Sequence, residues 1–204
     1  MDADVEARAG DLSTEEFRAL RATIRERGTL RLLVAAITFV AWATLVLLAW
    51  RGGVAVSFAA LATLLVLAAG FEVIFATHVG VERIGRYLQA RYERPDLGLP
   101  RWEHDAMRLG RDPLLASGID PLFTPVFTVA AILNLLPVLM PGIQWSVPIR
   151  QIPRGLTGLW LLVAVIVHVA FFIRISRASA YAKRQREMEL DWFKRESRSS
   201  SASH

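Results

Sequence analysis

Apolar residues in this chain fall in long unbroken runs rather than in the stripes of an amphipathic fold. Leu32 to Trp50 carries no charge between Arg31 and Arg51; Gly52 to Phe71 is also uncharged, is interrupted by Glu72, and resumes as far as Val81. A third uncharged stretch covers Pro121 to Ile149, and a fourth, Gly155 to Ile173, lies between Arg154 and Arg174. Crossing hydrocarbon ~30 Å thick takes roughly 20 apolar residues as a helix. A soluble helical protein would instead keep polar residues along one face of each helix. The pattern predicts an all-α integral membrane protein with four transmembrane helices, at about 31–50, 54–77, 122–140 and 155–174. Arg51-Gly52-Gly53 reads as a tight turn, so the spans pair as two antiparallel hairpins with cytoplasmic helical extensions.

The first run is longer than the apolar core of a signal peptide and follows about thirty mostly polar residues, which predicts an uncleaved anchor. Lysine and arginine in the flanks set orientation. Arg8, Arg18, Arg21, Arg25, Arg27 and Arg31 lie on one side with the arginines of 83–111 and the cations of the tail; Arg51, Arg150 and Arg154 lie on the other. Both termini are therefore expected in the cytoplasm of a bacterial cell with the spans in its inner membrane. The expected layout is a cytoplasmic amphipathic segment at 1–29, a four-helix bundle at 30–176 with a cytoplasmic loop at 78–120, and a C-terminal helix with a disordered serine-rich tail at 177–204.

Within the polar segments, Ser13-Thr14-Glu15-Glu16 reads as a capping box with Ser13 at the N-cap. Phe17, Leu20 and Ile24 follow at helical spacing, and Gly28 is a C-cap position. This short helix would lie on the membrane surface, on a partner, or on the chain's own middle loop. The second span is expected to continue as helix through Tyr87, Leu88, Arg91 and Tyr92 until Arg94-Pro95 breaks it. Its Arg83, Arg86 and Arg91 are placed to snorkel to lipid headgroups. A further short helix is expected at 100–109, and the fourth span should continue as helix through Phe193.

Composition narrows the chemistry. The chain of 204 residues has no cysteine, which excludes disulfides, thiolate catalysis and Cys-ligated metal. Its net charge is +5, but the cations flank apolar runs instead of forming a soluble patch, so lipid headgroups rather than nucleic acid are the expected anionic neighbour. No P-loop, GxGxxG or HExxH occurs. Glu103-His104-Asp105 are adjacent residues that a helix would point in different directions, and no nucleophile–base pair can be nominated, so no enzyme is expected.

Polar residues at membrane depth are the remaining candidates, since a charge at the bilayer centre costs ~2.5–3.5 kcal/mol even on the gentler scale. They are Glu72, His78, Asn134 and His168. Glu72 is expected to point inward toward Thr38, Thr128 or His168. Asn134, just before Pro137, is expected to support a kink. Ala55, Ala59 and Thr63 form a small-residue stripe expected to face another span. His78 and His168 are the one pair that could clasp haem iron, although a hydrogen-bonding role for His168, in which Glu72 could share, is the expected reading. Counted from the cytoplasmic arginines the two histidines lie level; counted from the glycines at the opposite ends of the spans they lie ~18 Å apart. His78 and Glu82 are also spaced to share a metal on one helical face, with an ion pair at the headgroups as the ordinary reading. No resident cofactor is expected otherwise. The expected role is a small scaffold or accessory subunit binding another integral membrane protein, or a homo-oligomer. The alternatives are a haem-binding electron-transfer subunit and a small proton-coupled transporter using Glu72.

Overall fold

The computed structural model describes residues 2–52, 54–92, 120, 122–140 and 154–202. Among the described residues it contains four helices and no strand: α1 (Asp2–Arg51), α2 (Val56–Arg91), α3 (Thr124–Leu139) and α4 (Arg154–Ala202). Three helical stretches, in α1, α2 and α4, are long and apolar enough to cross a membrane. The sixteen residues of α3 span ~24 Å at 1.5 Å each, short of the hydrocarbon thickness. The expected third span at 122–140 is thus trimmed at both ends. Its Pro141-Gly142 stop signal lies outside the described residues, as do the expected helix at 100–109 and Glu103-His104-Asp105.

Two other expectations are corrected at the helix ends. Ser13 is not an N-cap and Gly28 is not a C-cap, because α1 runs unbroken through both. A single glycine costs about 1 kcal/mol in a helix interior, too little to stop a helix anchored on either side. The tail likewise stays helical to Ala202 rather than ending at Phe193. No glycine or proline occurs between Leu159 and Ala202 to break it.

The chain divides into two compact units. The first comprises Met1–Leu30, Thr77–Ile119 and Tyr181–His204; the second comprises Arg31–Ala76 and Asp120–Ala180.

In the second unit the outer surface is apolar: Leu32, Leu33, Ile37, Val40, Leu65, Val129, Leu162, Ile166 and Val169 are exposed, whereas Thr38, Thr63, Asn134 and His168 are buried within a core that is otherwise apolar. An apolar exterior of this extent suits lipid. Helices are held together by packing and hydrogen bonds where lipid is as apolar as leucine. A chain of aromatic contacts links all four: Phe39–Phe127 at 5.0 Å, Phe71–Phe127 at 5.4 Å and Phe71–Phe171 at 5.9 Å between ring centres. At Gly70 a Cβ would stand 2.8 Å from Thr38 Cβ, with Thr38 Oγ1 and Cγ2 nearer still, so the Thr38 side chain of α1 packs directly on the bare backbone of α2. Asp120 organises the start of α3: its carboxylate accepts from the N–H groups of Leu122 (2.8 Å) and Thr124 (3.2 Å). Phe123 between them takes a left-handed backbone at φ 53°, a conformation that costs a non-glycine residue roughly 1–2 kcal/mol.

In the first unit, the amphipathic stretch of α1 packs on the continuation of α2. Phe17 stacks on Tyr92 at 5.4 Å, and Arg21 lies over the Phe17 ring. Contact with the chain's own middle segment, one of the three placements expected for this stretch, is thus present at Tyr92.

Candidate functional site

The buried polar cluster of the second unit is built around Asn134. Its buried position on α3 follows from helical spacing: Phe127, Ala130, Ala131, Asn134 and Val138 form one inward stripe. Two donors converge on Asn134 Oδ1: the Thr63 hydroxyl at 2.6 Å from α2 and the Trp42 indole N–H at 3.2 Å from α1. The Asn134 amide nitrogen donates to the Ala60 carbonyl at 2.8 Å and to His168 Nε2 at 3.1 Å on α4. Trp42 and Ala60 set the amide's orientation, since turned over its nitrogen would face the indole N–H and its oxygen a carbonyl. The amide nitrogen only donates, so His168 Nε2 must accept, and the imidazole is neutral with its proton on Nδ1. That proton is given to the Ala164 carbonyl, 2.7 Å away and one turn earlier on α4. Both lone pairs and both N–H bonds of Asn134 are thereby used, and both nitrogens of His168. The Thr63 hydroxyl has one proton, and the Ala59 carbonyl at 2.7 Å is its fallback acceptor.

This geometry corrects several expectations. Asn134 does not support the Pro137 kink; its side chain reaches three other helices. Of the small-residue stripe, Thr63 faces inward, but Ala55 and Ala59 are half-buried, and the close-approach positions are Ala60, Thr63 and Gly70. The only signal for Trp42 in the sequence is its indole N–H, which in a span must find an acceptor.

Glu72 does not turn toward Thr38, Thr128 or His168. It is exposed on the outer face of α2, where Arg174 of α4 grips it through two parallel bonds, Nε to Oε1 and Nη2 to Oε2, each 2.7 Å. The Arg174 guanidinium also lies 4.6 Å over the Phe75 ring. Inward-facing positions of α2 recur as Ala60, Thr63, Leu64, Leu67, Phe71 and Ile74, and position 72 falls off that stripe.

Facing positions of α2 and α4 in the second unit share one register. Glu72 and Arg174 are 102 residues apart in sequence, and Phe58 and Trp160, in ring contact at 4.4 Å, share that offset. Hence α2 and α4 run in the same direction, and His168 is level with Val66. His78 belongs to the first unit, and ligating iron would require His168 to release a nitrogen already bonded.

In the first unit, His78 is buried. Glu82 pairs with Arg86 at 3.0 Å, and no group of three metal-ligating side chains occurs among the described residues. Arg86 is therefore not a snorkelling residue: it is 5% exposed and also donates to Gln89 at 2.9 Å. Arg83 and Arg91 are exposed, as headgroup anchoring requires. Near them, Glu16 accepts from the hydroxyls of Tyr92 at 2.6 Å and Tyr87 at 2.8 Å. Donation from Tyr92, then from Tyr87, holds the Glu16 carboxyl below its ordinary range. Desolvation, then the bond to Glu16, holds both tyrosine hydroxyls above theirs.

Comparison with protein-family models, with curated proteins and with solved structures gave no match.

Proposed function

We propose that this chain is a four-span membrane protein, with both termini on the arginine-rich cytoplasmic side of a bacterial inner membrane, that serves as a scaffold or accessory subunit for another integral membrane protein. The observation that carries this reading is the closed hydrogen-bond account at Asn134. Every donor and acceptor of the Asn134 amide and the His168 imidazole is used by the protein itself. Transport and proton relay need polar groups at membrane depth with capacity to spare for a substrate; this cluster has none, and its role is to hold helices in register. Leu122, Phe123 and Met140 extend the apolar stretch around α3, and its bonds through Asn134 tie it to the other three spans as the fourth member of a bundle. The exposed apolar faces are left for lipid, for a partner's helices or for further copies of the chain.

The test is crosslinking in native membranes, followed by affinity capture in mild detergent and mass spectrometry. A stoichiometric integral membrane partner, or a homo-oligomer by light scattering, is the expected result. A monomer that recovers neither, while transporting protons in liposomes or showing a Soret band, would refute the scaffold role.

A further inference from the structure

The outer face of α4 carries a continuous exposed track, Leu162, Ile166, Val169 and Ile173, spaced three or four residues apart. One turn beyond Ile173 that track ends in Arg177, which is exposed and makes no ion pair among the described residues. Arg174 stands three residues before Arg177, so the two guanidinium groups are neighbours on the helix surface. Alongside, Leu65 and Glu72 are exposed on the outer face of α2.

The state of Arg174 is informative. Glu72 occupies the Nε–Nη2 edge of its guanidinium, and Phe75 backs its plane. The Nη1 edge, with two further N–H donors, is not used by Glu72, and the side chain remains 37% exposed. A guanidinium clamped on one edge and stacked on an aromatic face has lost most of its rotamer freedom before any ligand arrives. Depth matches as well. Arg174 directly follows an uncharged run, Gly155 to Ile173, of roughly 20 residues or ~30 Å of helix. That is one hydrocarbon thickness, where lipid phosphates stand.

We propose that Arg174 and Arg177 form a binding site for the headgroup of an anionic phospholipid, whose acyl chain lies along Leu162, Ile166, Val169 and Ile173, and that Glu72 is a positioning residue that aims Arg174. The inference rests on reading these helices as membrane spans. It predicts the reverse of simple electrostatics. Removing the Glu72 charge makes the site more positive, and if the arginines act only as point charges, lipid binding should strengthen. If Glu72 orients the fork, binding should weaken.

The experiment titrates phosphatidylglycerol against the full chain in phosphatidylcholine nanodiscs, read by native mass spectrometry, with inorganic phosphate as a separate arm. Wild-type protein should retain phosphatidylglycerol in preference to phosphatidylcholine and should not bind free phosphate. Arg177→Ala and Glu72→Gln should each lower retention several-fold, and Glu72→Asp should restore part of it. Equal or greater retention by folded Glu72→Gln overturns the positioning role, and no preference for phosphatidylglycerol in the wild type overturns the site. Should Glu72→Gln fail to fold, Arg174→Lys decides: it keeps the charge but loses the fork, so unchanged retention refutes the proposal. Failure of the membrane reading itself would appear separately, as release of the protein from membranes by alkaline carbonate.

Discussion

Replacing Asn134 by leucine tests the clasp with a side chain of similar size and no polar atoms. Four hydrogen bonds are lost, to Trp42, Thr63, Ala60 and His168. Their consequences differ. Thr63 falls back on the Ala59 carbonyl at 2.7 Å, and the Ala60 carbonyl keeps its place in the α2 ladder. The Trp42 N–H and His168 Nε2 lose the partners the cluster gave them. Interhelical hydrogen bonds within membranes average ~0.6 kcal/mol, with a maximum near 1.7. Four average bonds give about 2 kcal/mol, with the two abandoned groups pushing the cost upward. Asn134→Leu should therefore lower unfolding free energy by ~2–3 kcal/mol, measured in bicelles by steric trapping or graded SDS. Thr63→Ala should cost well under half as much. A double-mutant cycle of Asn134→Leu with His168→Leu should show coupling, since the second substitution removes a group the first has abandoned. An Asn134→Leu protein as stable as wild type, or additive with His168→Leu, would refute the idea that this residue locks the helices.

Other expectations follow from separate contacts. Gly70→Ala should destabilise by roughly 1–3 kcal/mol through overpacking against Thr38, whereas Gly158→Ala, with nothing within 4 Å, should be neutral or slightly stabilising in the same unfolding assay. The Glu16–Tyr92 contact should fail at both ends of the pH scale. Glu16 has a lowered folded-state pKa, so its contribution is present above the ordinary 4.5 and is lost as pH falls below it. Tyr92 has a raised one, so its contribution is present below the ordinary 10.0 and is lost as pH climbs beyond it. Exchange-rate-corrected amide protection at residues 14–24 and 85–92 should show loss at both extremes, and Tyr92→Phe should abolish the alkaline loss attributable to that hydroxyl. A reporter fused after His204 should be active only in the cytoplasm; periplasmic activity would reverse the assigned orientation.

Much of the architecture is legible along the chain itself. Helices at α1, α2 and α4, their apolar lengths, and the run of α2 on to Arg91 all follow from one-dimensional patterns, because the energetic demand of hydrocarbon is satisfied locally, residue by residue. Helix termini are less legible. Gly28 and Ser13 carry true end signals, yet the roughly 1 kcal/mol at stake in each is overridden by a long helix on both sides.

What side chains touch was decided by tertiary structure alone. Asn134, His168 and Glu72 all announce themselves as polar groups where polarity is costly, so which residues matter could be read from the sequence. Their partners could not, because partnership depends on helix rotation and register. A rotation of one position is 100° on a helix, and it separates Glu72 on the outside from Phe71 in the core. Register sets His168 against Asn134, and interior against exterior sets Arg86 apart from Arg83. Trp42 and Thr63 enter only because their helices bring them to the same amide.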